Sequence, residues 1–194
     1  MDSFPAFFPL AGRRVVIAGS GDFAEGKARL FDGSPAELVR IDGAAALDPE
    51  SYRGAVLAFV ALEDAAQAEA AVAAARAAGV PVNCVDRPAL CDFFTPAMVD
   101  RGQVVAAVGT GGASPVLAQQ LKLALEDKVP EGAGRLAALL QQFRDETRKT
   151  FPDMGARRAF VAKVIDGPVA KAALHGEMAV ARQLLREALD EAKG

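Results

Sequence analysis

A glycine-rich string near the N-terminus has residue types and a spacing that suit phosphate binding. The segment from Gly19 to Ala24 reads GSGDFA and fits the pattern G-x-G-x-x-A. In that pattern the first glycine permits a tight turn, the second lets the backbone approach a pyrophosphate, and the small third residue lets a helix pack on a strand. Asp42 follows 21 residues after Gly21. A carboxylate at this position accepts hydrogen bonds from the ribose hydroxyls and repels a 2′-phosphate. The spacing predicts a site for NAD rather than NADP, although the nearby Arg40 works against this preference.

Two other interpretations of this string stay open. Glycine-rich turns after a first strand also occur in sites for methyl-donor nucleotides, and a tight turn can serve a fold without binding any nucleotide. The string follows a strand pattern and opens a helix pattern, and this context favours the dinucleotide site over both alternatives.

A second group of polar residues lies between Asn83 and Asp86, a segment that reads NCVD. Val80 to Val85 is an apolar run typical of a buried strand, and in open α/β sheets ligands bind beyond the carboxyl ends of the strands. Asp86 is therefore expected to face the ligand crevice. A carboxylate there can act as a general acid or base, or it can cap the turn before Pro88, and position alone does not choose between these roles.

A second glycine-rich stretch, Gly109 to Gly112, leads into Ser114 and Pro115. Serine followed by proline is typical of the start of a helix. The free N–H groups of such a helix can hold a substrate carboxylate. The alternative is a flexible connector with Ser114 as an ordinary helix cap.

Cysteine and histidine, the usual nucleophiles and metal ligands, are scarce. Six residues separate Cys84 from Cys91, which is the spacing of neither a zinc site nor a redox pair, so both are expected to be reduced thiols. His175 is the single histidine, lies at a predicted helix start and is interpreted as structural. No metal site is expected.

Strand and helix patterns alternate through the first half of the chain. Strands are expected over 14–18, 38–41, 55–60 and 80–85, and helices over 24–31 and 63–78. This alternation predicts an α/β fold with a Rossmann-like, mostly parallel sheet. Beyond Asp86, apolar runs over 93–99 and 104–108 flank a turn and predict an antiparallel pair.

The remainder of the chain is predicted to be helical. Helices are expected over 114–128, from Leu136 to Thr147, and over 156–165 and 177–192. The second of these carries one apolar face, at spacings of three and four. We expect that face to form a contact between two copies of the chain, or else to pack within its own chain. Its residues are Leu136, Leu139, Leu140, Phe143 and Thr147.

Length and composition exclude several classes of protein. A chain of 194 residues, 52% of them hydrophobic, can bury the core of one domain with an appendage. It has no apolar run near the roughly 18 to 20 residues that cross a bilayer, and its N-terminus lacks the basic region and cleavage site of a secretory signal. A cytoplasmic protein is expected, without membrane or nucleic-acid partners.

The net charge of −3 conceals a basic stretch, since residues 135–163 hold seven Lys or Arg against three Asp or Glu. One interpretation is a solvated helix face with ion pairs, and the other is the rim of a pocket for a polyanion. The basic residues are Arg135, Arg144, Arg148, Lys149, Arg157, Arg158 and Lys163.

With these motifs assembled, the whole chain resembles the precorrin-2 dehydrogenase/sirohydrochlorin ferrochelatase family, which includes the N-terminal half of siroheme synthase and its stand-alone relatives. Residues 110–118, which read TGGASPVLA, are the most specific match. The other matching segments are 4–10 (FPAFFPL), 19–28, 83–86, 94–97 (FTPA) and 154–158 (MGARR).

The resemblance implies a homodimer that oxidises the tetrapyrrole precorrin-2 to sirohydrochlorin with NAD, and it extends to the insertion of ferrous iron into that product. It also implies three parts: an NAD-binding Rossmann-like domain over 1–112, a dimerisation segment over 113–147, and a helical C-terminal domain over 148–194. The basic stretch is then a natural partner for the carboxylates on the rim of the substrate.

The motifs and the resemblance together assign the site residues. Asp86 is the catalytic residue, because it matches the family aspartate implicated in both dehydrogenation and chelation. The residues assigned to NAD are Gly19, Gly21, Asp22, Phe23, Ala24, Asp42 and Gly43. The residues assigned to the substrate are Asn83, Thr110, Gly111, Gly112 and Ser114.

Two departures from the family pattern lead to further expectations. Only 12 residues separate Asp42 from Ala55, too few for the extra strand usual in the family, so the adenine side of the site is expected to be altered. Gly26 replaces a residue that is often basic, and a glycine within a helix costs roughly 1 kcal/mol relative to alanine. A slightly weakened helix is expected there.

Two functions of other classes remain as alternatives. A nucleotide-sensing binding module shares the fold and the glycine string, yet it needs neither Asp86 nor the basic stretch. An NAD-dependent dehydrogenase of a smaller substrate has no evident use for an arginine-rich helical tail. Titration with a tetrapyrrole distinguishes these alternatives from the tetrapyrrole enzyme.

Overall fold

The computed structural model describes residues 3–193, which form two compact units. The first unit extends to Thr95 and includes Gly111–Ala113, while the second comprises Pro96–Thr110 and the chain from Ser114 onward. The division into three parts at residues 112 and 147 stays a prediction.

A parallel sheet of four strands forms the centre of the first unit. Its strands are β1 (Arg14–Ala18), β2 (Glu37–Ile41), β3 (Ala55–Val60) and β4 (Val82–Cys84), in the order β2-β1-β3-β4. The last residue of β1 pairs with the last residue of β2 and of β3, so the carboxyl ends of the strands share one edge. The strand order reverses at β1, because β2 lies on one side of it and β3 on the other, and open α/β sheets bind ligands at such a point.

Helices cover both faces of this sheet. They are α1 (Gly21–Ala28), which continues into a 3-10 turn over Arg29–Phe31, and α2 (Ala65–Ala77). Alternate residues of β1 serve the two faces, since Ile17 packs in the cluster that contains Ala24 of α1, whereas Val16 packs in the cluster with Val72 of α2. Burial on both faces explains why the sequence of β1 is a continuous apolar run.

Two 3-10 turns, Gly43–Leu47 and Pro49–Tyr52, fill the short connection between β2 and β3, and this fully described segment contains no strand. Tyr52 is completely buried, and its hydroxyl donates to the carbonyl oxygen of Ala46 at 2.7 Å. The shortened connection is therefore compact and internally bonded, and it packs in the same core cluster as α2.

The second unit begins with an antiparallel pair, β5 (Ala97–Arg101) and β6 (Val104–Val108), which confirms the predicted hairpin. Helices follow to the end of the described chain. They are α3 (Pro115–Glu126), α4 (Ala133–Gln142), α5 (Arg144–Thr150), α6 (Met154–Asp166), α7 (Pro168–Leu174) and α8 (Met178–Glu191).

The predicted α/β class, with a parallel sheet followed by a helical C-terminal part, is confirmed. Within residues 3–193, no helix has both the length and the apolar character needed to cross a membrane.

Two expectations for the second unit are wrong, and one of its helices was not expected. The helix expected from Leu136 to Thr147 is interrupted at Phe143 and forms α4 and α5. The short, alanine-rich helix α7 was not expected, because seven residues carry too little periodicity to signal it. His175 follows the end of α7 instead of starting a helix, and its Nδ1 lies 2.7 Å from the carbonyl oxygen of Lys171.

The apolar face expected to join two copies of the chain packs inside its own chain instead. Leu139 is 0% exposed and Phe143 is buried, and both belong to one cluster with Leu185 and Leu189 of α8. A period of three and four residues predicts that a helix face is buried, but it does not identify the surface that covers it.

Candidate functional site

The glycine turn lies at the carboxyl end of β1, between the ends of β2 and β3. The N–H of Gly19 donates to the carbonyl oxygen of Ile41 at 2.9 Å, and the N–H of Ala61 donates to that of Ala18 at 2.8 Å. A Cβ on Gly19 would lie 2.3 Å from the carbonyl oxygen of Ala61, and the φ of Gly19 is +119°. Glycine is therefore the only residue that fits at this position without a shift of the backbone.

Gly21 begins α1 with a φ of +76°, and a Cβ added there would have no atom within 4 Å. The preceding residue, Ser20, makes no capping hydrogen bond with its side chain. The N–H groups of the first turn therefore have no side-chain cap, and together with the helix dipole they suit an anion. Asp22 and Phe23 are exposed in this turn, whereas Ala24 is buried against the sheet. Open space beside the uncapped N-terminus of α1 is suited to the pyrophosphate of NAD.

Asp42 lies beside the glycine turn, at the carboxyl end of β2. One of its carboxylate oxygens accepts a hydrogen bond from the N–H of Gly43 at 2.7 Å. The residue is exposed, so the other oxygen is available for a ribose hydroxyl.

Arg40, whose positive charge weakens the predicted preference for NAD over NADP, forms an ion pair within the first unit. Its Nη2 donates to Oε2 of Glu25 on α1 at 2.9 Å, and Nη1 bonds the other carboxylate oxygen. The hydrogen bonds from Arg40 lower the pKa of Glu25, which keeps this carboxylate charged. The arginine that would attract a 2′-phosphate is thus already paired.

Asp86 follows β4 at the same edge of the sheet. Its φ of +57° is the only positive value at a residue other than glycine among residues 3–193. The left-handed region costs a residue with a side chain roughly 1 to 2 kcal/mol, and Asp and Asn tolerate it best. Arg87 holds the loop by donating to the carbonyl oxygens of Leu62, at 3.0 Å, and Glu63, at 2.8 Å.

The side chain of Asp86 is exposed and accepts no hydrogen bond from the described part of the chain. The structure therefore shows no hydrogen bond that would support the turn-capping role left open by the sequence. A strained backbone conformation at a residue with an exposed, unbonded carboxylate is typical of a functional residue.

Asn83, expected to contact substrate, is buried and engaged inside the first unit. Its Nδ2 donates to the carbonyl oxygen of Phe93 at 3.0 Å, and the Cys91 thiol lies 3.2 Å from the N–H of Cys84. Both cysteines are free thiols, and burial raises the pKa of Cys84. In this arrangement Asn83 supports the loop that carries Asp86, and its contact with substrate stays a prediction.

The second glycine-rich stretch crosses from one compact unit to the other. Oγ1 of Thr110 lies 3.2 Å from both the N–H and the carbonyl oxygen of Ser114, so these two residues bond each other at the start of α3. Gly111 and Gly112 have φ values of +61° and +83° and open space at the Cβ position. A contact of these four residues with substrate stays a prediction.

Sequence reasoning missed Lys27 on α1. Its ammonium lies 3.4 Å from Oγ1 of Thr95 and 5.6 Å from the centre of the Phe59 ring. Burial lowers the pKa of Lys27, while the nearby Cys91 and Asp86 act in the opposite direction. Lys27 is thus a half-buried cation of the first unit whose charge interacts with that of Asp86. The sequence signal that could have identified Lys27 was its position three residues after a buried alanine, which places it on the side of α1 that faces the sheet.

Metal ligands do not converge in the described residues, because no three His, Cys, Asp or Glu side chains between residues 3 and 193 lie close enough together to hold an ion.

Two protein-family models match the chain. One, described as putative NAD(P)-binding, covers residues 6–97, and the other, described as the sirohaem synthase dimerisation region, covers residues 132–189. The first match contains the glycine turn, Asp42 and Asp86, and it confirms the predicted NAD-binding domain. The second overlaps the predicted dimerisation segment over 132–147 and continues well beyond it.

Siroheme synthases are similar to the chain along nearly its whole length. That of Azotobacter vinelandii is 38% identical over 97% of this chain, and that of Pseudomonas entomophila is 37% identical over 99%. The chain covers 45% of each of these relatives, so it spans less than half of their length.

A solved structure with a similar fold is described as SirC, precorrin-2 dehydrogenase. It matches with a TM-score of 0.74 and covers 96% of this chain and 98% of that one. The sequence identity is 18%, so the likeness is one of fold.

Proposed function

The chain belongs to the siroheme synthase family, and from that premise we propose that it oxidises precorrin-2 to sirohydrochlorin with NAD as hydride acceptor. One observation supports this proposal most directly: the glycine turn, Asp42 and Asp86 share the carboxyl edge of one parallel sheet. A cofactor site and a free carboxylate at one edge are what a dehydrogenase needs.

The oxidation removes one hydride and one proton from the macrocycle. NAD, when bound, supplies the acceptor for the hydride. The N–H groups at the start of α1 bind the pyrophosphate, and the carboxylate of Asp42 accepts hydrogen bonds from the ribose hydroxyls. The carboxylate of Asp86 accepts the proton, and the ammonium of Lys27 adds positive charge beside it for an anionic substrate.

The test of this role is replacement of Asp86 by residues that tolerate its backbone conformation. Asp86→Asn and Asp86→Gly both accept a φ of +57°, whereas alanine would add backbone strain to the loss of the carboxylate. Both variants should keep NAD affinity and lose about 10² to 10⁴ in the rate of sirohydrochlorin formation, as general bases typically do.

Asp48→Asn is the matched control, because Asp48 is also an exposed aspartate of the first unit, and its bond to the N–H of Glu50 survives in the amide. Its rate should be unchanged. If Asp86→Asn retains full activity, Asp86 only orients the substrate. If the glycine variant is also fully active, Asp86 has no role in the reaction.

The choice of cofactor is tested by calorimetry with NAD and NADP. NAD should bind more tightly, because Asp42 repels a 2′-phosphate and Arg40 is already paired with Glu25. Equal or tighter binding of NADP would remove Asp42 from its assigned role. Binding of neither would contradict the dehydrogenase proposal.

We infer a homodimer from the dimerisation region matched over residues 132–189. The exposed apolar side chains of α3 support this helix as part of the contact, and Val116 is 69% exposed. They occupy about half of the circumference of the helix. The residues are Val116, Leu117, Leu121 and Leu123.

An obligate interface buries on the order of 2,000 Å² or more, so the chain should be a dimer in light scattering at micromolar concentration. Leu117→Glu with Leu121→Glu should give a monomer, while Leu30→Glu, at an exposed leucine of the first unit, should not. A monomeric unmutated chain would contradict the homodimer.

Insertion of ferrous iron into sirohydrochlorin is a second proposed activity, with iron and sirohydrochlorin both as substrates. It is supported by the family membership, and it is tested by the absorbance of siroheme in the same Asp86 variants. Loss of one activity without the other would assign the two reactions to different groups. A cytoplasmic location remains part of the proposal.

A further inference from the structure

The helical second unit contains a concavity of about 300 Å³ that lies between α4, α5, α6 and α8. Its floor is apolar and includes Leu140, Phe160 and Leu185. Three arginines also line it: Arg144 and Arg148 from α5, and Arg157 from α6. The basic stretch recognised in the sequence therefore includes three guanidinium groups around one small cavity.

Arg144 and Arg148 are four residues apart and so lie on the same side of α5. Two like charges at this spacing repel each other and weaken a helix slightly. Neither forms an ion pair or donates a hydrogen bond within residues 3–193. The fold thus places two uncompensated charges side by side, which is the arrangement expected where an anion binds.

Arg157 is held in place beside them. Its Nε and Nη2 donate to the carbonyl oxygen of Phe151 at 3.1 and 3.0 Å, and Nη2 also reaches that of Pro152 at 3.0 Å. Nη1 has no partner in the described chain. These bonds fix the plane of the guanidinium and leave one of its donors for a ligand.

The other basic residues of 135–163 do not line this concavity. Arg135 donates to the carbonyl oxygens of Ala173 and Leu174 and so closes the end of α7. Lys149 and Arg158 are exposed elsewhere on α5 and α6. The structure therefore divides the basic stretch into a cavity set and a solvated set.

We propose that the cavity of Arg144, Arg148 and Arg157 binds the carboxylate side chains at the edge of the tetrapyrrole substrate, an inference that rests on the proposed function. Guanidinium groups bind carboxylates through paired hydrogen bonds, and the apolar floor suits the methylene groups that carry them. A volume of about 300 Å³ is at the lower limit of ligand pockets, so the cavity takes an edge of the macrocycle and not the whole ring.

The experiment compares two double variants of the full chain that lose the same charge. Arg144→Gln with Arg148→Gln removes two cavity arginines, and Lys149→Gln with Arg158→Gln removes two charges from the same helices outside the cavity. The probe is uroporphyrin, a porphyrin with eight carboxylates, followed by its absorbance in a titration. A dicarboxylate porphyrin serves as the second probe.

The cavity variant should bind uroporphyrin at least tenfold more weakly than the unmutated chain, and the control variant less than threefold more weakly. The difference should shrink for the dicarboxylate porphyrin. In the oxidation assay the cavity variant should show a raised KM with an unchanged kcat, because these contacts are made equally in the ground and transition states.

Equal loss in the two double variants would overturn the proposal, since net charge would then explain the binding. So would unchanged binding in the cavity variant, or an unmutated chain that does not bind uroporphyrin. Should the double variant fail to fold, Arg148→Lys keeps the charge and removes the paired geometry, and a loss of at least threefold is expected. Failure of the unmutated chain to oxidise precorrin-2 would refute the proposed reaction, while the titration would still decide the cavity.

Discussion

Replacement of Gly21 by alanine separates the role of the glycine turn in the fold from its role in binding. Gly21 has a φ of +76°, yet a Cβ added there meets no atom within 4 Å. The open space lies at the start of α1, where the pyrophosphate of NAD is proposed to bind. Gly21→Ala therefore adds a methyl group to the ligand site without a clash in the protein itself.

The expected cost to stability follows from the backbone angle alone. An alanine in the left-handed region loses about 1 to 2 kcal/mol, against a typical stability of roughly 5 to 15 kcal/mol, so Gly21→Ala should fold. Gly12→Ala is the matched control, because Gly12 has a φ of +67°, also has no atom within 4 Å, and lies before β1 at the opposite edge of the sheet.

Gly19→Ala should behave differently from both. Its Cβ would lie 2.3 Å from the carbonyl oxygen and 2.8 Å from the carbonyl carbon of Ala61, so the ends of β1 and β3 would have to separate. Such a shift costs typically 1 to 3 kcal/mol, and the strained backbone angle adds a similar amount. The total is a large part of the stability of a domain.

Urea denaturation and NAD calorimetry on the three variants test this reasoning together. Gly21→Ala and Gly12→Ala should lose the same stability, while Gly21→Ala alone among these two should lose at least about tenfold in NAD affinity, or ~1.4 kcal/mol. Gly19→Ala should lose the most stability. Equal NAD affinity in Gly21→Ala and Gly12→Ala would refute the assignment of the turn to the pyrophosphate.

Three further predictions concern the first unit. Burial raises the pKa of Tyr52 from its usual 10.0 to about 12. Because the unfolded chain loses this proton first, the free energy of unfolding should fall by up to roughly 3 kcal/mol as pH rises from 10 to 12. Tyr52→Phe should lose its bond to Ala46, at about 1 kcal/mol near neutral pH, and also lose this alkaline slope in urea titrations. Gly26→Ala should raise the unfolding free energy by about 0.5 to 1 kcal/mol, because Gly26 is helical with open space at its Cβ; a lower urea midpoint would show that the glycine is needed. Burial lowers the pKa of Lys27 below the 10.5 of an unburied lysine. The unfolded chain therefore keeps this proton to higher pH than the folded chain, and the free energy of unfolding should rise as pH approaches 10.5. Lys27→Met should remove this rise while the methionine side chain still packs on Phe59, and an unaltered pH profile would contradict the prediction.

The elements of the first unit could be predicted from the sequence because each has a local cause. The bounds of β1 and β3 agree with their β-branched, doubly buried runs, and the GSGDFA string locates the turn after β1, although α1 begins at Gly21, three residues before the expected start. The separation between Gly21 and Asp42 also carried enough information, since parallel neighbours bring the ends of β1 and β2 together whatever lies between them.

What the sequence could not determine depends on contacts between distant residues. The face of Leu139 and Phe143 was recognisably apolar, but only the tertiary structure decided that α8 of the same chain covers it. The basic stretch was visible in the sequence, yet only the fold showed that Arg144 and Arg148 share a cavity with Arg157 while Arg135 closes α7. Periodicity and composition describe one helix at a time, whereas burial, pairing of charges and the shift in the pKa of Lys27 come from neighbours that the chain brings together only when it folds.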